Sequence, residues 1–104
     1  MAGAVGTKNV EISTSGGRAV LVEGLQRDRR RRNDLKITLP DGRVFLAHGR
    51  RPNEDGWEVY PEDESDCIIG ANLAESLAFL LGYNAWNDKG PDWLDDFAAA
   101  VAEY

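Results

Sequence analysis

Residues 35–48, LKITLPDGRVFLAH, carry the strongest structural signal in this chain. Apolar and polar side chains alternate on both sides of Asp41-Gly42, which is the pattern of two half-buried β-strands. An Asp-Gly pair favours a two-residue hairpin turn, because that turn needs positive φ angles, which glycine adopts without strain. We therefore predict a β-hairpin formed by Leu35–Leu39 and Arg43–His48.

A two-residue turn would determine which residues of this hairpin face each other. It predicts an apolar face made of three cross-strand pairs: Leu39 with Val44, Ile37 with Leu46, and Leu35 with His48. The other face then carries a mixed set, since side chains alternate with a period of two: Lys36, Thr38, Phe45 and Ala47. One apolar and one mixed face are typical of an antiparallel sheet that is covered on one side only.

Further β patterns precede and follow this hairpin. Asn9–Ser15 and Arg18–Leu25 flank Gly16-Gly17, which predicts another hairpin with a glycine turn. Arg18–Leu25 carries apolar residues on both alternating sets, so we expect it either to be a central strand or to have some cover on both faces. Trp57–Tyr60 predicts a fifth strand, and Cys67–Ile69 fits either another short strand or the lead into a helix.

The spacing of apolar residues becomes helical in the C-terminal third of the chain. A first helix is predicted from regularly spaced leucines: Leu73, Leu77, Leu80 and Leu81. Asn72 with Glu75 forms a capping-box pattern at its start, and Gly82 fits the position just past its end. A second helix is predicted to begin near Pro91, with an apolar stripe of four residues: Leu94, Phe97, Ala98 and Val101.

Strands first and helices last are typical of an α+β fold. We predict an antiparallel meander of about five short strands in residues 8–60, followed by two C-terminal helices packed on one sheet face. A chain of 104 residues suits one domain. We place that domain at residues 8–104, after a flexible N-terminal segment of residues 1–7.

The composition disfavours a membrane protein and a disulfide-bonded one. No apolar run approaches the roughly 20 residues of a membrane-spanning helix, so we expect no membrane association. The one cysteine, Cys67, has no second cysteine in the chain for an internal disulfide, and this usage fits a reducing, cytoplasmic compartment.

Charge is divided between the two halves of the chain. Residues 1–52 contain eleven basic and five acidic residues, a formal charge of +6, whereas residues 53–104 contain one basic and thirteen acidic residues, a charge of −12. Such polarity favours binding to a charged partner or to a second copy of the chain. The alternative is that the two halves lie against each other and neutralise.

The most unusual segment lies between two predicted strands and contains five arginines: Arg27, Arg29, Arg30, Arg31 and Arg32. Their mutual repulsion predicts an exposed loop that an anionic partner would order. Phosphates and acidic protein surfaces both fit this chemistry, with Lys36, Arg50 and Arg51 as helpers. The acidic second half disfavours a long duplex, and a plain solvated loop is the alternative.

Three aromatic residues bracket the segment between the two predicted helices: Tyr83, Trp86 and Trp93. Aromatic rings with nearby amide side chains build small-molecule pockets and protein-binding hot spots, so this cluster is a candidate for ligand or partner contact. The alternative is that the rings close one end of the core.

Candidate catalytic and metal-binding residues are few, and no motif of known catalytic mechanics occurs. We expect His48 to be partly buried and hydrogen-bonded on the inward face of its strand, and Cys67 to be a small core residue. A Cys67–His48 pair of nucleophile and base is the less favoured alternative. The acidic run is expected to be a solvated loop, with a site for a hard cation such as calcium as the less favoured alternative: Glu62, Asp63, Glu64 and Asp66. With too few ligands for zinc, we predict no metal and no cofactor.

These features favour a small, soluble, non-catalytic protein-binding or accessory module. Its partner would be another protein or a second copy of the chain, which would pair through the mixed sheet face or a sheet edge. The first alternative is a protein that contacts nucleic acid through Arg27–Arg32. The second is a small-ligand binder, or an enzyme, at Tyr83, Trp86 and Trp93.

Overall fold

The computed structural model describes residues 7–26, 33–49, 56–83 and 90–102. It contains an antiparallel sheet of six strands in chain order, followed by two helices. The bounds of the elements are β1 Thr7–Ile12, β2 Val20–Gln26, β3 Asn33–Thr38, β4 Val44–Gly49, β5 Trp57–Pro61, β6 Ile68–Gly70, α1 Leu73–Leu80 and α2 Leu94–Val101. The predicted α+β meander is confirmed. Its sixth strand, β6, occupies the segment that fitted either a strand or the lead into a helix.

Both helices pack on one face of the sheet, which we call the inner face, and the opposite face is the outer face. Side chains of the central strands and of both helices form one core. Its fully enclosed members are Val20, Val22, Leu25, Ile37, Ala47, Val59, Leu77 and Phe97. Burial of such side chains is the main favourable contribution to folding. Within the described ranges, no helix is both long and apolar enough to cross a membrane.

The turn between β3 and β4 has three residues, so the predicted two-residue turn is wrong. The N–H of Leu39 donates to the carbonyl of Arg43 at 2.8 Å, and the N–H of Gly42 donates to the carbonyl of Leu39 at 3.0 Å. Gly42 has φ +93°. This is a turn followed by a glycine bulge. Pro40 explains the choice, because a two-residue turn would use its N–H in the closing pair and proline has none.

The longer turn shifts the hairpin pairing by one residue from the prediction. Ile37 pairs with Phe45, and Leu35 pairs with Ala47. A shift of one residue moves every side chain of a strand to the other face. The partners that were predicted to be inward therefore lie on the outer face: Val44, Leu46 and His48.

A glycine bulge interrupts the alternation along β2. Gly24 has φ +97°, and its N–H donates to the Asn9 side chain at 3.3 Å where the β1–β2 pairing shifts register. Val20 and Val22 are buried before the bulge, and Leu25 is buried after it. The inward set thus changes from even to odd positions at Gly24, which places Leu25 in the core. β2 lies between β1 and β3, as expected of a central strand.

The ends of α1 follow the sequence signals. Asn72 accepts a hydrogen bond from the N–H of Glu75 at 3.0 Å, which satisfies one free donor of the first turn. Gly82 has φ +91°, and the N–H groups of Gly82 and Tyr83 return to α1 carbonyls at 3.0 Å each. This pair of bonds is a Schellman ending, which favours glycine at the left-handed position.

The second helix contacts β1, at the opposite edge of the sheet from the strands β5 and β6 on which α1 packs. It begins at Leu94, three residues after the predicted start at Pro91. Just before it, the Asp92 carboxylate accepts a hydrogen bond from the N–H of Ser15 at 2.9 Å, in the turn that joins β1 to β2. Because α1 packs on β5 and β6 while α2 also contacts β1, the two helices together cover the inner face.

Candidate functional site

A groove of about 720 Å³ opens between α1, α2 and β6. Its apolar lining comes from all three elements: Ile68, Ala74, Ala78, Phe79, Leu94 and Ala98. Tyr83 also lines it, just after the end of α1. We call this space the helix groove.

Small residues keep the helix groove open. Leu73 and Leu77 of α1 are buried in the core, so the next positions along the helix face sideways toward α2. Ala78 of α1 and Ala98 of α2 both line the groove, and an alanine side chain ends at Cβ. The space between the helices is therefore unfilled by their own side chains.

Large apolar side chains are exposed beside this space. Phe79 is 65% exposed and Tyr83 is 37% exposed, and both line the groove. Exposed aromatic residues at the mouth of an apolar groove are the usual anchors of a protein interface.

The helix groove has a negative rim. Glu75 and Asp95 line it, and each lies in the first turn of its helix. In residues 56–83 and 90–102 every charged side chain is acidic: Glu58, Glu62, Asp63, Glu64, Asp66, Glu75, Asp92, Asp95 and Asp96. The rim carboxylates therefore lie among further acidic residues and near no described basic residue of these ranges, which favours a negative potential at the groove.

The structure describes two of the three residues in the predicted aromatic cluster, Tyr83 and Trp93. Tyr83 lines the helix groove, and Tyr83 and Trp93 together line a smaller depression of about 210 Å³ beside the β3–β4 turn. Trp93 is only 6% exposed and meets Phe97 edge-on, with ring centroids 6.0 Å apart, so it also closes the core. Trp86 lies outside the described residues.

The arginine-rich segment, Arg27–Arg32, lies outside the described residues, and so do Arg50 and Arg51. The described residues on either side of the segment are joined, because the Asn33 side chain accepts a hydrogen bond from the N–H of Gln26 at 3.0 Å. Lys36 is exposed on the outer face of β3. Anion binding by these arginines stays a prediction.

His48 lies on the outer face of the sheet, so its predicted inward position is wrong. Its Nδ1 is 2.6 Å from Oδ1 of Asp34 on β3, and its Nε2 is 2.7 Å from the hydroxyl of Tyr60 on β5. In the neutral imidazole one ring nitrogen donates and the other accepts, so an Nδ1 that donates to Asp34 leaves Nε2 to accept from the tyrosine hydroxyl. A chain of hydrogen bonds thus crosses three neighbouring strands. Sequence reasoning missed Asp34 and Tyr60, although the correct register places Asp34 directly opposite His48.

Tyr60 keeps its proton in this arrangement. Burial, with the nearby carboxylates of Glu64, Glu58 and Asp34, raises the pKa of Tyr60 above its ordinary value of 10.0. A phenol that resists ionisation is a hydrogen-bond donor and a poor nucleophile. The geometry therefore favours a structural brace across β3, β4 and β5 over a catalytic relay.

Cys67 is exposed, so its predicted place in the core is wrong. It belongs to the loop before β6, and its thiol donates to the Glu58 carboxylate at 3.7 Å. Partial burial and the Glu58 and Asp66 carboxylates raise the pKa of the Cys67 thiol above its ordinary value of 9.0. Both ring nitrogens of His48 are hydrogen-bonded, to Asp34 and to Tyr60. The arrangement therefore does not support a Cys67–His48 pair of nucleophile and base.

The acidic loop before β6 is exposed throughout, as expected of a solvated loop. Asp63 accepts a hydrogen bond from the N–H of Ser65 at 2.9 Å. Among the described residues, no group of three or more His, Cys, Asp or Glu side chains is arranged to hold a metal ion.

Comparison of the chain with protein-family models, with curated proteins and with solved structures finds no match. The shape, lining and charge of the helix groove are therefore the basis on which a function is assigned.

Proposed function

We propose that this protein is a non-catalytic protein-binding module that takes a segment of a partner protein into the helix groove. The observation that carries the proposal is the groove itself: about 720 Å³ of apolar-lined space with Phe79 65% exposed at its wall. Removing exposed apolar area from water is a main favourable contribution to protein association. Grooves between helices bind partner segments in this way.

The polar groups of the groove favour a protein segment over a small ligand. Asn72 uses its side-chain oxygen to cap α1, and the Ser76 hydroxyl donates to the Asn72 carbonyl at 2.8 Å. Small-molecule sites have polar groups free to orient the ligand. Here the Asn72 side-chain oxygen and the Ser76 hydroxyl are both engaged within α1.

A small-ligand site remains the second candidate, because a volume of about 720 Å³ falls in the range of roughly 300–1,000 Å³ that ligand pockets have. Tryptophan fluorescence distinguishes the two candidates, since Trp93 lies at the base of α2 beside the groove residue Leu94. A metabolite that shifts this fluorescence and is displaced by no protein partner would favour the ligand site.

A homodimer is a variant of the same proposal, with the mixed outer face or a sheet edge as its interface. Sedimentation over a range of concentrations tests this variant. A mass of 11.5 kDa at every concentration would remove it, and a second species at twice that mass would support it.

Two matched substitutions test the use of the groove. Phe79 and Ile69 are both exposed apolar residues, 65% and 77% respectively, but Ile69 pairs with Glu58 on the outer face. The protein is used to retain partners from a lysate of its source cells in wild-type, Phe79→Ala and Ile69→Ala forms. A partner that is lost with Phe79→Ala and retained with Ile69→Ala supports the proposal. Equal retention by both variants contradicts it.

A further inference from the structure

We infer that the segment bound in the helix groove is a basic amphipathic α-helix of a partner protein. This inference rests on the proposed function and adds the chemistry and the conformation of what the groove binds. Three observations carry it: the apolar lining, the carboxylates at the rim, and the helical walls.

The charge of the groove selects a basic partner. Glu75 and Asp95 flank the apolar lining on opposite walls, and the described part of residues 56–102 contains no lysine or arginine. An acidic segment would meet like charges at both walls, whereas a segment with lysine or arginine beside its apolar residues would meet opposite ones.

The same charges disfavour pairing of the groove with the groove of a second copy. Residues 53–104, which contain both helices, carry a formal charge of −12. Two copies that approach each other through these acidic sides therefore repel each other. A partner with net positive charge has no such penalty.

The shape of the groove favours a helix over an extended strand. The walls are two helices of eight residues, each about 12 Å long, and their groove-facing residues are mostly apolar side chains. A helix of two to three turns would place residues i, i+3 or i+4, and i+7 along such walls. An extended segment would instead bind through backbone hydrogen bonds at β6, which has only three residues to offer.

A displayed library of amphipathic helices tests the inference. All members carry leucine or phenylalanine at the anchor positions, and their polar positions are randomised among lysine, arginine, glutamate, glutamine and serine. The full-length protein is the bait at low salt. We expect the enriched helices to be basic. Enrichment of neutral or acidic helices, or no enrichment at all, overturns the inference.

A pair of substitutions separates groove binding from general attraction between opposite charges. Ala98 lines the groove, whereas Ala99 is exposed on the same helix outside it. Ala98→Glu and Ala99→Glu add the same charge, so general attraction predicts slightly tighter binding of a basic helix by both. Binding in the groove predicts at least about a ten-fold weaker Kd for Ala98→Glu alone. Equal affinities of the two variants would overturn the inference.

Phe79→Ala is the second variant, in case Ala98→Glu disturbs the packing of α2. Circular dichroism melts establish that each variant is folded. We expect Phe79→Ala to weaken the basic helix by about ten-fold or more, the loss typical of an aromatic anchor, and Ile69→Ala to leave the Kd within about two-fold.

The rim charges are tested by a second matched pair. The double variant Glu75→Gln, Asp95→Asn removes two charges from the rim. The control double variant Glu62→Gln, Asp96→Asn removes two exposed charges that lie outside the groove. We expect the rim pair to weaken binding more at low salt and the difference to shrink as salt screens the charges. Equal effects of the two pairs would contradict a role for the rim.

The outcomes separate this inference from the proposed function. If cellular partners depend on Phe79 but the library yields neutral or acidic helices, the groove binds proteins and the inferred chemistry is wrong. If cellular retention is indifferent to Phe79, the proposed function itself fails.

Discussion

At the scale of single residues, the hydrogen-bond chain of Asp34, His48 and Tyr60 shows how much one turn residue determines. Pro40 sets a three-residue turn, the turn sets the register, and the register places His48 opposite Asp34 on the outer face. The same histidine on the inner face would need partners within the core. Its role as a brace thus follows from the turn and not from the local sequence around His48.

The brace predicts a measurable loss of stability. Tyr60→Phe removes the hydroxyl that is hydrogen-bonded to His48 Nε2 across 2.7 Å, and a hydrogen bond of this kind contributes about 1 kcal/mol to stability. We expect urea unfolding to show that loss with an unchanged m-value. Tyr83→Phe, at an exposed tyrosine, is the control. Equal stability of wild type and Tyr60→Phe would mean that the bond contributes nothing.

The reactivity of Cys67 gives a second prediction at this scale. The thiolate is the reactive form, and partial burial together with the Glu58 carboxylate raises the pKa of the Cys67 thiol above its ordinary value. Glu58→Gln should therefore lower that pKa and speed alkylation by iodoacetamide near neutral pH. Glu62→Gln, in the acidic loop that follows β5, is the control for loss of a nearby carboxylate. A rate that Glu58→Gln leaves unchanged would refute the contact.

At the scale of elements, the bulge in β2 depends on one glycine. A Cβ on Gly24 would lie 2.5 Å from the carbonyl oxygen of Asp34, in addition to the strain of φ +97°. Gly17 has a similar φ of +94° with nothing within 4 Å of its Cβ position, so it isolates the strain. Comparing the two positions therefore separates the cost of the backbone strain from the cost of the overlap with Asp34.

We expect Gly17→Ala to cost about 1–2 kcal/mol, the usual penalty for a left-handed backbone. Gly24→Ala should cost about 1–3 kcal/mol more, because the backbone of β3 must move to relieve the overlap. Denaturant unfolding of both variants measures the difference. Equal destabilisation would show that β3 does not closely approach β2 at Gly24.

The hydrogen bond between Ser15, in the β1–β2 turn, and Asp92, just before α2, predicts that the stability of the fold depends on pH. Hydrogen bonds from Ser15 hold the pKa of Asp92 below its ordinary value of 3.8. A lowered pKa in the folded state adds stability above the ordinary pKa, and that stability is lost as the pH falls through the folded value. Asp92→Asn should therefore melt below wild type at neutral pH, and the gap should narrow below about pH 4.

Thermal melts of wild type, Asp92→Asn and Asp96→Asn across this range test the link. Asp96 lies in the first turn of the same helix and serves as the control for a lost charge there. A gap for Asp92→Asn that is constant with pH would refute the role of the carboxylate.

How much could be predicted from sequence also differs by element. The strands, both helices and the ends of α1 were predictable, because alternation, helical spacing and the Asn72 and Gly82 signals are local properties. The hairpin register was not, because Asp41-Gly42 suits two turns and only the missing N–H of Pro40 separates them. The groove was not predictable either, since its walls depend on how two helices settle over β6 and Ala78 and Ala98 are ordinary helix residues.

At the scale of the whole molecule, the fold places charge and apolar surface together. The sheet and its two helices close one core on the inner face. The groove lies between the two helices and β6, and all three elements belong to the acidic second half of the chain. A basic partner approaching this side would be attracted before it contacts the groove. Binding at the groove should therefore weaken as the salt concentration rises.

Site-specific photo-cross-linking at the groove gives the decisive test of the proposed function. A photoreactive amino acid replaces Phe79 in one form of the protein and Lys36, exposed on the outer face of β3, in another. Both forms are irradiated in the source cells. The proposal predicts that a defined partner protein is captured from position 79 and not from position 36. Capture from position 36 alone, or the same proteins from both positions, would contradict binding in the helix groove.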